Sequence, residues 1–393
     1  MKVGDPVYRG AEVPLPIEVL ECIISHIGTV EDNKTQATLW ACCLISRSWY
    51  AATISHLYQQ PLLNNRNFDK FTRTICPPVS SHKPRVGLEG FIKRLDMGGL
   101  AYESSKSLTA RLLRRTRNSL ESFASPAVTF SIASLAPLGK CTNLQFLDLS
   151  ADGYDMHIRQ LLDSISHLDH LTTLKLPRNA LRLALTLQKS HWPRNLRTLE
   201  LSDWLYEELT SWAAFFESWP DNLTTLKIQE CVGYGSLNAL DPSTVTADTI
   251  RVLDIGISWH EDRFPLRRVL HTFPHAEVLR LPAYVAEDLA RMNQTDEMLI
   301  NLTSGDTLVD VDYDSLLEVL ILTYPQSPGR KLPQFSTTLL ERWVKKYPRL
   351  RRLEVPEKYT GLSHARAYYE RLGATLEERA APDKRASSGI FLY

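Results

Sequence analysis

The chain has 393 residues, 44% hydrophobic and 23% charged, an ordinary folded composition with room for two or three domains or one elongated repeat array. Its 45 basic and 45 acidic residues cancel, which disfavours a general electrostatic grip on nucleic acid or an anionic membrane. No apolar run approaches the roughly 18 residues of a membrane span, and Met1 to Gly10 holds no apolar signal core.

In chain order, the first informative stretch is Leu15 to Ile24, after a short tail over residues 1–12. Pro16 suits the start of a helix, where its fixed φ is helical and its missing N–H costs nothing. Ile17, Leu20, Ile23, Ile24 and Ile27 recur at helical spacing as one apolar stripe, with Val19 off it, so apolar surface faces two ways. After the polar stretch Gly28 to Thr35, Leu39 to Leu44 reads as a short apolar helix. Ser46 is a candidate N-cap, and a third helix carries Trp49 and runs through Leu57. Three short helices make a small core, and surplus apolar surface on such a unit points to a covering partner.

Leu15-Pro16-x-Glu18-Val19-Leu20-x-x-Ile23 followed by Leu44-x-Ser46-Arg47-x-Trp49 resembles an F-box, over residues 13–60. The resemblance implies docking on a Skp-type adaptor of a cullin–RING ubiquitin ligase. By it, Leu15, Pro16, Ile17, Val19, Leu20, Ile23, Leu39, Leu44, Arg47 and Trp49 form or support the adaptor contact.

Residues 61–87 read as a connector containing one short helix, on which Phe68, Phe71 and Ile75 share a face before Pro77-Pro78 stops it. Beyond it the pattern L-x-x-L-x-L recurs from Leu144, Leu171, Leu196, Leu223, Ile250, Ala276, Leu317 and Leu350, at spacings of 27, 25, 27, 27, 26, 41 and 33 residues. Weaker units begin at Ile92 and Leu120. A period near 26 residues resembles leucine-rich repeats. The expected fold is α/β: a three-helix unit, then an irregular leucine-rich-repeat solenoid over residues 88–360, parallel strands concave and helices convex. No unit buries its own apolar face, so stacked neighbours must do it. The position eight residues after the first Leu, often Asn or Cys in such repeats, is Asn179 and Cys231 in two units but Asp152, Trp204, Ser258, Tyr284, Pro325 and Lys358 elsewhere. Residues 286–314 form an insertion. Over 361–393 a capping helix carrying Tyr368, Leu372 and Leu376, with Gly373 as a possible interruption, precedes a tail expected to be disordered from Ala380 until Phe391, the one residue there that could dock.

Strand register places Asp148, Lys175, Glu200, Lys227, Asp254 and Arg280 in one row, followed by Ile321 and Glu354, with Phe146, Thr173, Thr198, Thr225, Val252, Val278 and Val319 beside it. Neighbouring strands lie about 4.8 Å apart, so each of the six charges falls between opposite ones. That reads first as a self-neutralising ladder, and second as a recognition strip in which Phe146 and the six charges contact a protein substrate. Asp163, His167 and His170 could share a helix face but lack a fourth metal ligand. Asp310-x-Asp312-x-Asp314 fails as a calcium loop because Ser315 and Ile321 stand where Gly and Glu are needed. Arg111, Arg114, Arg115 and Arg117 make a basic patch on a helix. The six cysteines (Cys22, Cys42, Cys43, Cys76, Cys141 and Cys231) show no C-x-x-C spacing and read as reduced core thiols.

No nucleophile elbow, P-loop, H-E-x-x-H or dinucleotide turn is present, so no catalytic residue, metal or cofactor is expected. An F-box-like unit followed by such repeats is similar to the substrate receptors of SCF ubiquitin ligases, placed in the cytoplasm or nucleus. The expected partners are a Skp-type adaptor, the cullin–RING ligase and a protein substrate. A non-proteolytic interaction scaffold of the same modules is the alternative, and a nucleic-acid-binding repeat protein the distant one.

Overall fold

A computed structural model describes residues 15–27, 32–77, 87–100, 106–127, 130–151, 158–178, 191–202, 219–229, 247–256, 273–282, 315–323, 337–356 and 366–392. Three helices open it: α1 (Ile17–Ile27), α2 (Asn33–Cys43) and α3 (Arg47–Gln59). The Pro16 carbonyl accepts from Val19 and Leu20, placing proline immediately before the helix. Helix α2 starts earlier than its apolar residues suggest. Asp32 caps it, accepting from the Thr35 N–H at 2.7 Å, and that bond holds the Asp32 carboxyl below its usual range. Ser46 caps α3 as expected, accepting from the Trp49 N–H at 3.3 Å.

The unit's own core is small: Ile24, Leu39 and Cys42, with Ile27, Trp49 and Leu57 against them. Its third helix is shared. Ile54 and Tyr58 lean on the main core, and the Gln59 carbonyl accepts from the Lys93 N–H at 2.9 Å. Helix α4 (Phe68–Ile75) buries Phe68, Phe71 and Ile75 in that same main core. The short helix expected within residues 61–87 is therefore packed into the core of the array. The first strand would leave apolar surface open at the end of the array, and α4 helps to cover it.

Among the described residues, the remainder forms an 11-stranded parallel sheet whose strand order follows chain order. The strands are β1 (Arg94–Asp96), β2 (Ser122–Ala124), β3 (Phe146–Asp148), β4 (Thr173–Lys175), β5 (Thr198–Ser202) and β6 (Thr225–Gln229), then β7 (Val252–Gly256), β8 (Val278–Pro282), β9 (Val319–Thr323), β10 (Arg352–Val355) and β11 (Gly389–Leu392). One strand per repeat, each paired with the next, is consistent with a solenoid. Helices return the chain between strands: α5 (Lys106–Thr116), α6 (Ile132–Leu138), α7 (Ile158–Ile165), α8 (Thr337–Lys346) and α9 (Arg366–Glu378).

The repeated leucines explain the stack. Leu147, Leu174, Leu199, Leu226, Leu253, Leu279, Leu320 and Leu353 are each 0% exposed and in register with one another. The weak units at Ile92 and Leu120 supply β1 and β2. Side chains also tie the turns across neighbouring units. Asn143, Asn195 and Asn222 donate Nδ2–H to the carbonyls of Asn118, Asp169 and Arg194 at 2.7–2.8 Å, and His275 Nδ1 lies 2.8 Å from the Asp248 carbonyl. Each of these residues immediately precedes the first apolar position of its unit. The later turn positions, Asn179 and Cys231 among them, lie outside the described residues, as does the 286–314 insertion with its aspartates.

The C-terminal expectation needs correction. Helix α9 runs through Gly373 without interruption, and the chain beyond it is ordered as a 3₁₀ turn (Pro382–Ser387) and then β11. Helix α9 is thus the crossover between two paired strands, with Leu372 and Leu376 buried beneath it, and not a terminal cap. Strand β11 docks because the Gly389 N–H donates to the Arg351 carbonyl at 2.8 Å and the Arg352 guanidinium lies 4.3 Å from the Phe391 ring centroid.

Candidate partner-binding surfaces

Eight of the eleven large hydrophobic side chains exposed among the described residues belong to the three-helix unit: Leu15, Ile17, Val19, Ile23, Trp40, Leu44, Ile45 and Tyr50. The other three, Phe91, Ile132 and Leu392, are scattered along the array. Helix α1 divides its apolar residues by face. Leu20 and Ile24 point into the unit and Ile27 is half-buried, whereas Ile17, Val19 and Ile23 face outward, so the single stripe read from spacing is really two. Trp40 and Leu44, at i and i+4, stand 60% and 66% exposed where α2 ends, an extreme exposure for side chains of this size.

Of the residues assigned to the adaptor contact, Leu15, Pro16, Ile17, Val19, Ile23, Leu44 and Arg47 are exposed. Leu20 and Leu39 are buried, and Trp49 is half-buried against the Ile24–Leu39–Cys42 core. These three hold the surface in place from behind and do not offer one. Trp40, Ile45 and Tyr50 were missed. The signal for Trp40 was present in the spacing, since Leu39 and Cys42 define the inner face of α2 and Trp40 lies about 100° from Leu39.

The open face of the sheet carries the charge row in the expected register: Asp148 opposite Lys175, Lys175 opposite Glu200, Glu200 opposite Lys227, Lys227 opposite Asp254, Asp254 opposite Arg280. Lys175 Nζ sits 3.2 Å from Asp148 and 3.5 Å from Glu200, and 5.8 Å from the Phe146 ring centroid; Arg280 reaches Asp254 at 3.7 Å. Burial alone would lower the Lys175 pKa, but the two carboxylates outweigh it and raise it above the ordinary lysine value. Asp148 also accepts from the Ser150 N–H and hydroxyl at 3.0 and 2.6 Å. These groups satisfy one another, which favours the structural reading of the ladder. A second ladder, unread in the sequence, runs three residues earlier, on the residue just before each strand, through Lys93–Glu121 at 3.0 Å, Arg251–Glu277 at 3.9 Å and Glu318–Arg351 at 2.9 Å.

The weaker candidates resolve as structural. Helix α7 ends at Ile165, so His167 and His170 are not on its face with Asp163. His167 Nε2 lies 2.7 Å from the Gly139 carbonyl, and Asp163 lies 3.7 Å from His191. No cluster of metal-ligating side chains occurs among the described residues. Arg111 donates to the Cys76 carbonyl at 3.0 Å and Arg115 faces Glu89 at 3.9 Å, while Arg117 falls beyond the end of α5. Cys22, Cys42, Cys43, Cys76 and Cys141 are free thiols, and burial pushes the Cys141 thiol up to about 12. No described helix is long and apolar enough to cross a membrane.

No family model matches the chain. It is 31% identical over 188 residues to F-box protein YDR306C of Saccharomyces cerevisiae, covering 48% of this chain and 37% of that protein. It is 29% identical over 217 residues to protein pof5 of Schizosaccharomyces pombe, covering 55% and 58% respectively. The chain therefore spans less than two thirds of the length of these curated relatives, and its similarity is to a named F-box protein at modest identity.

Proposed function

We propose that this protein is the substrate-recognition subunit of an SCF-type ubiquitin ligase, its three-helix unit being an F-box that binds a Skp-type adaptor and its leucine-rich array holding a protein substrate. The outward apolar side chains of the three helices carry this reading. Burying one such side chain contributes about 1.5–3 kcal/mol, and leaving eight in water on so small a unit is reasonable only if a partner covers them. The similarity to an F-box protein supports the same partner. The shared helix α3 gives the arrangement its mechanical sense, since one face completes the unit's core and the other leans on the array. A substrate on the array would be held at a fixed distance from the bound adaptor. On this reading the chain works by proximity and none of its residues is catalytic.

Co-expression with a Skp-type adaptor, followed by size-exclusion chromatography and sedimentation, tests it. The expected result is a 1:1 complex of the two chains, with partners that become ubiquitylated when the cullin–RING ligase is added. Free receptor eluting apart from free adaptor would sink the proposal. A stable complex that never supports ubiquitylation would leave the scaffold reading in its place.

A further inference from the structure

The last turn before β11 ends in two serines of different standing: Ser388 is buried and Ser387 is exposed. Both hydroxyls face a guanidinium. Arg351 Nη1 lies 3.4 Å from Ser387 Oγ and 3.5 Å from Ser388 Oγ, while its Nε donates to Glu318 at 2.9 Å. Arg352 Nη1 donates to the Ser387 carbonyl at 3.3 Å, and Lys384 Nζ stands 3.7 Å from Glu318. Among the described side chains, three cations, from β10, the residue before it and the turn, thus lie around the point where the chain enters its final strand. Among the described side chains, the carboxylates nearby are Glu318, which Arg351 and Lys384 share, Glu354, which Arg352 binds at 2.7 Å, and Glu377, which lies beside Gly389.

Basic residues also precede the exposed hydroxyl in sequence, as Lys384-Arg385-Ala386-Ser387. Positive charge two and three residues before a serine is what the acidic subsites of basophilic protein kinases bind. We propose that Ser387 is a phosphorylation site and that its phosphate latches β11 onto β10. In the transfer, Ser387 Oγ bonds to the γ-phosphorus of ATP as the bond from that phosphorus to the β,γ-bridging oxygen breaks. ADP leaves, and the hydroxyl proton passes to the kinase base and then to solvent. A weak neutral acceptor is thereby replaced by a group with close to two negative charges and three strong acceptor oxygens, facing Arg351, the Arg352 guanidinium and Lys384. The latch is independent of adaptor binding, since it acts at the opposite end of the chain.

The test uses the full chain, with ATP, Mg²⁺ and the catalytic subunit of a cyclic-AMP-dependent kinase as the probe enzyme. Fragmentation mass spectrometry should place a phosphate on Ser387, and Ser387→Ala should remove it. Hydrogen exchange over residues 352–355 and 389–392 should then slow roughly five- to thirtyfold, an effect equivalent to one or two new charge-assisted hydrogen bonds. Arg351→Gln should still be phosphorylated but lose most of that slowing, each variant being compared with its own unphosphorylated form. No phosphate at Ser387, acceptance only at other residues, or phosphorylation with unchanged or faster exchange would overturn the proposal.

Discussion

The three-helix unit and the parallel sheet treat their apolar side chains in opposite ways. In the sheet each repeat hides its leucines against the next, and the face left open is lined by charges that pair among themselves. In the unit, five hydrophobic residues (Leu20, Ile24, Leu39, Cys42 and Ala52) are buried while eight large ones stand exposed. An array can satisfy itself by adding strands, because every new strand covers the previous one. A three-helix unit has no such recourse, so its stability and its stickiness come from the same short helices. The difference teaches that the sheet satisfies its apolar faces within the chain, whereas the three-helix unit leaves an apolar surface uncovered.

The largest expected effect breaks the sheet. Leu199→Ala, at a fully buried position on a central strand, should cost about 2–5 kcal/mol in urea denaturation. The unit's surface should respond in the contrary manner. Val19→Asp with Leu44→Asp alters exposed positions and should change the stability of the free chain by no more than about 0.5 kcal/mol. The same pair should weaken adaptor binding by roughly 100-fold or more in titration calorimetry, as expected for apolar anchors at the centre of an interface. Equal effects of the pair on stability and on binding would erase the distinction drawn between the two regions. Leu20→Asp is the wrong probe for this purpose, because Leu20 is buried and its loss would disrupt the helices before it reported on any partner.

The ladder offers a finer cut. Lys175 is the cation shared by Asp148 and Glu200, so Lys175→Met leaves two carboxylates on neighbouring strands without it. A loss of about 1–2 kcal/mol is expected, partly restored by adding Glu200→Gln. If Lys175→Met instead left stability unchanged while abolishing substrate capture, the row would be a recognition strip after all. On the helical side, Ser46→Ala removes the N-cap of α3 and should cost about 1 kcal/mol.

How far the sequence could be read follows the same division. Six apolar triplets at nearly constant spacing specify strand, register and inward face together, so the row from Asp148 to Arg280 could be written down before any coordinates. Strand β11 escaped because Gly389-Ile390-Phe391-Leu392 lacks that pattern. It is held by a glycine at φ +117, by backbone pairing and by the Arg352–Phe391 contact, none of which is a periodicity. The outward exposure of Ile45 and Tyr50 escaped for another reason, whereas that of Trp40 was readable from the spacing of Leu39 and Cys42. Apolar character is visible residue by residue, whereas the face left uncovered depends on which helices happen to be neighbours. The asparagine rungs were visible in principle, as Asn143, Asn195 and Asn222 stand one residue before successive leucines.

The smallest effect expected is a pH dependence confined to the far end of the sheet. Glu318 accepts a hydrogen bond from Arg351, and although partial burial opposes it, this bond and the nearby Lys384 and Arg351 charges hold its carboxyl below the usual glutamate value. A carboxylate with a depressed folded-state pKa contributes stability that is present above its unfolded value and is lost as pH falls through the folded one. Acidification from about pH 5 to pH 3 should therefore loosen β9, β10 and β11 more than the central strands. Hydrogen exchange over residues 352–355, divided by that over residues 198–202 in the same sample, removes the intrinsic pH dependence of exchange and isolates the difference. Glu318→Gln should flatten the ratio, because its amide has no proton to gain in this range. A ratio that rises equally in the variant would mean that the loosening of the last strands does not come from Glu318, and a ratio that stays flat in the unsubstituted chain would mean that the sheet loosens as one body.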